Sequence, residues 1–331
     1  MIEHRFRPDV QGLRALAVTM VVVYHLYPRT LPGGFVGVDV FFVISGYLIT
    51  GHLWREYQRS GRVRLLDFWG RRAKRLLPAA ALVLAVTWLV ARFALPSSQL
   101  SATAQQIQAS ALYYQNWLLA HDAVDYLASG QAATPVQHFW SLSVEEQFYL
   151  IWPLLFLAAA FLARNRRPGH GNARHGNAGR VLAGLMVALV AASFAYSVYD
   201  THANPLAAYF VTPTRMWELG LGGLLAMVPE RRLPERRGWF GWAGLGLVLA
   251  SPFVLRGTTA FPGALALLPV GGAVLFIAGG PSRLLSARPL VFLGGISYST
   301  PPRYRWTPSP SSSWPPSAPR KPRCRLDQYR A

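Results

Sequence analysis

The sequence predicts an all-α fold, a polytopic membrane helix bundle of about eight complete spans with the start of a ninth. Three observations carry this expectation. First, 52% of the 331 residues are hydrophobic and only 14% are charged, against about a quarter charged in soluble domains. Second, the apolar residues are gathered into runs instead of being spread at an amphipathic period. Leu76–Val90, Ile151–Ala163, Val181–Ala195, Leu245–Leu255 and Ala264–Ala278 each hold at most one charge. With their flanks they approach the roughly 20 apolar residues that a spanning helix needs. Third, the basic residues fall in alternate loops. Arg55, Arg59, Arg62, Arg64, Arg71, Arg72, Lys74 and Arg75 form one block, and Arg164, Arg166, Arg167, Arg174 and Arg180 a second. Arg231, Arg232, Arg236 and Arg237 form a third, Arg283 with Arg288 a fourth, and no Lys or Arg lies between Arg92 and Arg164 or between Arg180 and Arg215.

Taken in order, the expected spans lie at roughly 10–28, 35–54, 76–95, 139–163, 181–199, 213–229, 239–256 and 261–280. Placing the basic blocks inside makes the N-terminus cytoplasmic. Residues 96–138 and 200–212 are then external, and 164–180, rich in Arg, Gly, Asn and His, is a flexible inner loop. The 96–138 segment carries Tyr113, Tyr114, Trp117 and Tyr126, rings of the kind favoured at a membrane interface. A ninth span opens at Pro289 with Leu293-Gly294-Gly295-Ile296-Ser297-Tyr298-Ser299 and then stops. From Thr300 the chain turns Pro-, Ser- and Arg-rich, a composition that supports neither a helix nor a ladder strand. The expected organisation is therefore a membrane domain over 1–299, incomplete at its C-terminal end, and a disordered tail over 300–331 left by truncation or a frameshift.

The net charge of +19 raises nucleic-acid binding as a function, but alternation of the positive loops explains it as membrane topology. The single cysteine, Cys324, lies in the tail, which excludes disulfides, a Cys-based metal site and a thiol nucleophile in the membrane domain. No metal site is expected. The first apolar run, Leu13–Tyr27, lacks a small-residue cleavage site and leads into another span, so it reads as a helix and not as a cleaved signal.

Charges at bilayer depth cost several kcal/mol unless paired or hydrated, so ionisable residues within the spans are candidates for function. These are Arg14, His25, Asp39, Glu145, Glu146 and Glu218. Arg14 and His25 share the first span, about three turns apart on nearly one face, His25 roughly 16 Å further out. A neutral histidine suits general-base work on a hydroxyl; a structural histidine bonded between helices is the alternative. Asp39 follows Gly33, Gly34 and Gly37 and needs a buried partner, either a cation or a hydrogen-bond network, which points to structural support. Ser45 is a nucleophile by residue type, but helix packing through small residues accounts for it better. Glu145 and Glu146 occupy the outer end of the fourth span, expected at the depth of His25, where one carboxylate could orient the imidazole; an acidic helix start is the alternative. Glu218 forms an intrahelical pair with Arg215 or stands alone. Arg72 and Arg75, three apart on one helical face, suit multivalent phosphate recognition, although topology anchoring also explains them.

Several of these strings together are distinctive. Phe6-Arg7-Pro8-Asp9-Val10-Gln11-Gly12-Leu13-Arg14-Ala15, then His25, Gly34–Gly46, Arg71–Pro78, His138–Pro153 and Thr214–Gly220 resemble membrane acyltransferase family 3, and the match runs to about Ser299. The resemblance implies a bundle of roughly ten helices in a bacterial inner membrane. It implies O-acylation, usually O-acetylation, of cell-envelope or exported polysaccharides such as lipopolysaccharide O-antigen. The donor would be acetyl-CoA or another acyl-CoA from the cytoplasm, used as a substrate with no bound cofactor. Residue by residue, it implies His25 as the catalytic histidine, Glu145 as part of an essential motif, Arg14, Arg72 and Arg75 as donor-side residues, and Asp39, Ser45, Trp140 and Ser143 as support for the site. The family has an acid or similar residue where this chain has Gln11, so no role falls to Gln11. The closing Gly-Ile-Ser-Tyr-Ser phrase normally continues through an aromatic- and His-bearing helix that the tail replaces, and a subgroup with this second-span motif carries a further extracytoplasmic domain. The expected partners are the bilayer, the polysaccharide acceptor and the acyl-CoA, with no nucleic acid. A glycan transporter or flippase, or an inactive truncated acyltransferase, are the competing expectations.

Overall fold

The computed structural model describes residues 7–124, 134–164, 172–229, 238–257 and 259–296. Every regular element among them is helical: α1 Pro8–Leu26, α2 Gly37–Ser60, α3 Leu65–Ala94, α4 Ser97–Ala111, α5 Gln115–Val124, α6 Phe139–Arg164, α7 Asn172–Ala203, α8 Pro205–Ala208, α9 Met216–Met227, α10 Gly238–Val254, α11 Leu267–Ala278 and α12 Arg288–Ile296. The expected tail over 300–331, the Ser297–Ser299 phrase, Tyr126 and the Arg231–Arg237 block lie outside the described residues.

Four helices are long and apolar enough to cross a bilayer: Gly34–Ser60, Leu65–Ala94, Phe139–Ala163 and Asn177–Ala203. The expected spans near 213–229, 239–256 and 261–280 are shorter apolar helices, Met216–Met227, Gly238–Val254 and Gly263–Ala278. Two of them are shortened for a local reason: α9 and α11 are each preceded by a 3₁₀ turn, Thr212–Thr214 and Gly263–Ala266, which takes up residues that the hydrophobic run alone assigns to a continuous helix. The first expected span is α1, which starts with Pro at its first position, where the missing N–H costs nothing. α2 ends at Gly61, whose φ of 69° lets its N–H return to the Tyr57 carbonyl at 2.8 Å. The basic block before the third span is not a loop, because Arg71–Arg75 are the first turns of α3 itself.

α2 is the axis of the bundle. Its apolar window is 78% buried, against 11% for α3, which therefore presents most of its surface outward. One face of α2 (Val40, Val43, Ile44) packs into a core with α1, α10 and α11, and the other (Phe42, Ile49, Leu53) into a core with α6 and α7. The closest helix pair is α2 with α9, and glycine makes it possible. A Cβ at Gly46 would sit 1.8 Å from the Leu219 carbonyl oxygen, and one at Gly222 would sit 2.0 Å from the Val43 carbonyl oxygen. Between lipid-embedded helices this close van der Waals fit replaces the hydrophobic driving force that water would supply.

The segment between α3 and α6 is anchored at one end of the bundle through buried polar groups. Gln147 on α6 donates to the Tyr113 carbonyl and to Asn116 Oδ1, at 2.8 and 2.9 Å, and Asn116 donates to the Phe210 carbonyl and to Thr212. Such a network is stable because each of these buried amides finds a partner.

Substituting Gly46 by Ala is expected to destabilise the protein by at least about 1–3 kcal/mol through overpacking, read as a lowered unfolding temperature in detergent. Gly246→Ala, at a position where nothing lies within 4 Å of the added carbon, is the control and should leave that temperature unchanged.

Candidate active site

His25 occupies the last turn of α1 and is exposed. Its Nδ1 lies 2.8 Å from the Val21 carbonyl oxygen. A carbonyl only accepts, so the proton of the neutral ring sits on Nδ1 and the lone pair is left on Nε2. Tyr24 meets the ring edge-on at 5.3 Å between centroids. The residue whose charge His25 reaches on α6's approach is His138. Partial shielding from water, together with the neighbouring His25, holds the His138 imidazole below the ordinary histidine range, against an opposing hydrogen bond from the Pro135 backbone.

Glu145 is elsewhere. It lies seven residues further along α6 than His138, roughly 10 Å at helical rise. Its two oxygens accept from Ser45 Oγ at 2.8 Å and from the Tyr149 hydroxyl at 3.1 Å. The expectation that Glu145 shares the depth of His25 and orients its ring is thus not what the structure contains: a backbone carbonyl orients the ring, and a hydroxyl from α2 meets the acid. The nearest cations to act on Glu145 are Arg14 and Arg72. The Arg72 guanidinium lies over the Tyr149 ring at 3.7 Å and over Phe68 at 5.0 Å, a cation–π seating that positions it beside the acid. Arg75, one turn on, joins Arg72 as a cation acting on Glu146, which has one buried oxygen without a hydrogen-bond partner.

Arg14 is buried, donates to Gln11 Oε1 at 3.2 Å and lies 6.0 Å from the Phe41 ring. Gln11, given no role from the sequence, is therefore part of the seat of Arg14. Arg14 and Glu145 line a common cavity of about 320 Å³. Its remaining walls are apolar: Val38, Phe41 and Phe42 of α2, Leu76, Ala79, Ala80 and Val83 of α3, and Phe139 and Leu142 of α6, with Ser141 at its margin. A second cavity, about 570 Å³, opens at the His25 end and is walled by Tyr24, Phe35, Tyr209, Phe210 and Phe261.

Asp39 has the cation its burial requires. Arg215 Nη1 lies 2.8 Å from Asp39 Oδ1 and 3.0 Å from Glu218 Oε1, with all three side chains at most 1% exposed. Trp140, Tyr209 and Phe261 surround the guanidinium, at 5.6, 4.8 and 5.1 Å from its carbon to the ring centroids. Trp140 thus supports this triad. Ser143 does not reach it, since its hydroxyl donates to the Phe139 carbonyl of its own helix at 3.1 Å. Among the described residues no group of three or more His, Cys, Asp and Glu is placed to hold a metal ion.

Comparison with known proteins adds identity to this geometry. Residues 7–300 match the family model described as an acyltransferase domain. The Bacillus subtilis (strain 168) protein named "Putative peptidoglycan O-acetyltransferase YrhL" is 34% identical over 325 residues, covering 92% of this chain and 48% of that protein. O-acetyltransferase OatA of Staphylococcus aureus (strain NCTC 8325 / PS 47) is 33% identical over 324 residues, with 92% and 51% covered. The chain therefore spans about half the length of these relatives. No solved structure matches.

Removing one member of a buried ion pair strands the others, at about 3–5 kcal/mol. Arg215→Gln is expected to lower the thermal stability of the purified protein accordingly, whereas the combined change Asp39→Leu, Arg215→Met, Glu218→Leu should recover most of the loss.

Proposed function

Since this chain belongs to the acyltransferase family matched over residues 7–300, we propose that it transfers an acyl group, most simply acetyl, from an acyl-CoA to a hydroxyl of a cell-wall polysaccharide. The relatives' names support O-acetylation, and that of the Bacillus subtilis protein supports peptidoglycan as the acceptor. The reading takes the eight-pass arrangement α1, α2, α3, α6, α7, α9, α10 and α11 in a bacterial cytoplasmic membrane, with the basic ends inside. The His25 end then faces outward, where the glycan is, and Arg72 and Arg75 stand toward the cytoplasm.

The observation that carries the reading is the hydrogen bond from His25 to Val21. It fixes the ring with its Nε2 lone pair available as a general base. In the proposed reaction a sugar hydroxyl gives its proton to Nε2 while its oxygen attacks the thioester carbonyl. The carbon–sulfur bond breaks, the acyl group stays on the sugar oxygen, and the imidazolium returns the proton to the departing thiolate. Arg14, with Glu145 held by Ser45 and Tyr149, forms the polar wall of an otherwise apolar cavity. Arg72 and Arg75 complete the donor side. A donor arm with two amides and a thioester needs such a wall, because amides carried into an apolar cavity must be hydrogen-bonded. The aromatic cavity beside Tyr24 offers ring faces to the acceptor sugar.

The test is incorporation of labelled acetyl into cell-wall glycan by cells producing the chain at matched levels. His25→Gln should lower incorporation by about 10²–10⁴-fold, the range of a positioned general base; incorporation near that of the unchanged protein would remove the mechanism. Ser45→Ala and Tyr149→Phe each delete one hydrogen bond to Glu145, and each is expected to cost about tenfold or more, with amounts of membrane protein unchanged.

A further inference from the structure

The first basic block does more than mark a side of the membrane. At the junction of α2 and α3 a cavity of about 460 Å³ is lined by His52, Arg55, Glu56, Arg59, Ser60, Arg62, Arg64 and Arg71. Five guanidinium groups and an imidazole thus face one concavity that contains a single carboxylate. Glu56 organises it. Its Oε2 lies 4.0 Å from Arg71 Nη2 and 3.9 Å from His52 Nε2. Its Oε1 lies 3.7 Å from Arg64 Nε and accepts the Arg64 backbone N–H at 3.1 Å. The left-handed turn at Gly61, with the Ser60 hydroxyl donating to the Glu56 and Arg62 carbonyls at 2.9 and 2.7 Å, folds the linker back so that Arg62 and Arg64 join residues of α2. Topology anchoring requires only that such charges remain on the water side. It gives no reason for them to converge, and convergence of like charges is costly until an anion enters.

Where the cavity leads narrows the choice of anion. On α2, His52, Ser45, Phe41 and Val38 repeat at three to seven residues along one helical face, and on α3, Arg72, Leu76, Ala79 and Val83 do the same. Those faces run from the basic cavity to the apolar one containing Arg14 and Glu145. From Arg71 to Val83 is about 18 Å at helical rise, the scale of an extended pantetheine arm. At its far end Leu84 packs with Val136 and Phe139, beside His138, which is the neighbour of His25.

We infer that the cavity at the α2–α3 junction is a polyphosphate site that takes the nucleotide end of the acyl-CoA, with the pantetheine arm lying between α2 and α3 toward Glu145. The assignment rests on the acyl-transfer reading above and moves the phosphate contacts from Arg72 and Arg75 to Arg55, Arg59, Arg64 and Arg71. Arg72, seated on Tyr149, then belongs to the arm and not to the nucleotide. The headgroup of an anionic phospholipid has the same phosphate chemistry and is the competing occupant.

The experiment uses the full chain in neutral phosphatidylcholine nanodiscs, with Arg55→Gln/Arg64→Gln as the variant. Direct binding of 3′,5′-ADP judges the pocket, and turnover judges the reaction. The unchanged protein should bind 3′,5′-ADP, and the variant should bind it at least about tenfold more weakly through loss of charge-assisted contacts. The variant's KM for acetyl-CoA should rise to a similar degree at constant kcat, while its kinetics with S-acetylpantetheine, which has no nucleotide, should not change. Absence of 3′,5′-ADP binding by the unchanged protein overturns the assignment, and so does equal loss with both donors. Binding abolished by anionic lipid at ordinary membrane content assigns the pocket to the headgroup instead. A protein that binds 3′,5′-ADP through these arginines yet transfers nothing from acetyl-CoA supports the pocket and counts against the acyl-transfer reading alone.

Discussion

Hydrocarbon offers no partner to a polar group, so each charge within the bundle has to find its partner inside the protein. Arg215 shows the consequence most clearly. It joins Asp39 on α2 to Glu218 on α9 with all three side chains withdrawn from solvent, and it can do so because Gly46 and Gly222 let the two helices approach backbone to backbone. The small residues set the distance and the ion triad sets the register; either alone would leave α2 free to slide or rotate. With α2 fixed, Ser45 faces α6 and meets Glu145, and Phe41 and Phe42 form the wall of the cavity that contains Arg14. The chemistry-bearing side chains are therefore held by a helix that is itself held from its opposite face.

This arrangement explains which parts of the structure were legible in the sequence. Hydropathy runs located the helices because lipid selects composition directly, and four of the eight expected spans stand as helices long enough to cross unaided. The others could not be sized in the same way. Apolarity does not distinguish a continuous helix from a 3₁₀ turn followed by a shorter one, as at Gly263–Ala266 before α11. The partner of Asp39 was foreseeable as a requirement but not as a residue, since Arg215 is 176 positions away and no local spacing relates them. The same holds for Ser45 and Glu145, which are 100 positions apart.

The depth of Glu145 is the instructive difference. Reading Glu145 at the same level as His25 treats the start of α6 as the membrane edge. In the fold, the His138–Phe139 junction takes that place and Glu145 comes two turns later. What the sequence lacked was the packing of α4 and α5, which bury Gln106, Ser110, Gln115 and Asn116 and cover ground that a hydropathy reading leaves to solvent. Polar residues in a short external stretch look like a loop until their amides are seen to satisfy one another, as Gln115 does with Gln106 at 3.1 Å.

The separation of the histidine from the acid also makes chemical sense. A carboxylate against an imidazole orients it but also stabilises its charged form, which opposes proton uptake from a weakly acidic sugar hydroxyl followed by prompt return to a thiolate. A backbone carbonyl supplies the orientation with no net charge, and the helix supplies that carbonyl at fixed distance because Val21 lies one turn before His25. The acid is then available for a different task one cavity deeper, where hydroxyls from Ser45 and Tyr149 hold it and the cations Arg14 and Arg72 flank it. A donor entering from the basic end meets positive charge first, then a narrow apolar passage between α2 and α3, and last a neutral base. Each zone excludes what the next must not contain: the arginines select for phosphate, the apolar walls keep water from the thioester, and the uncharged ring leaves no resident anion to compete with the incoming oxygen.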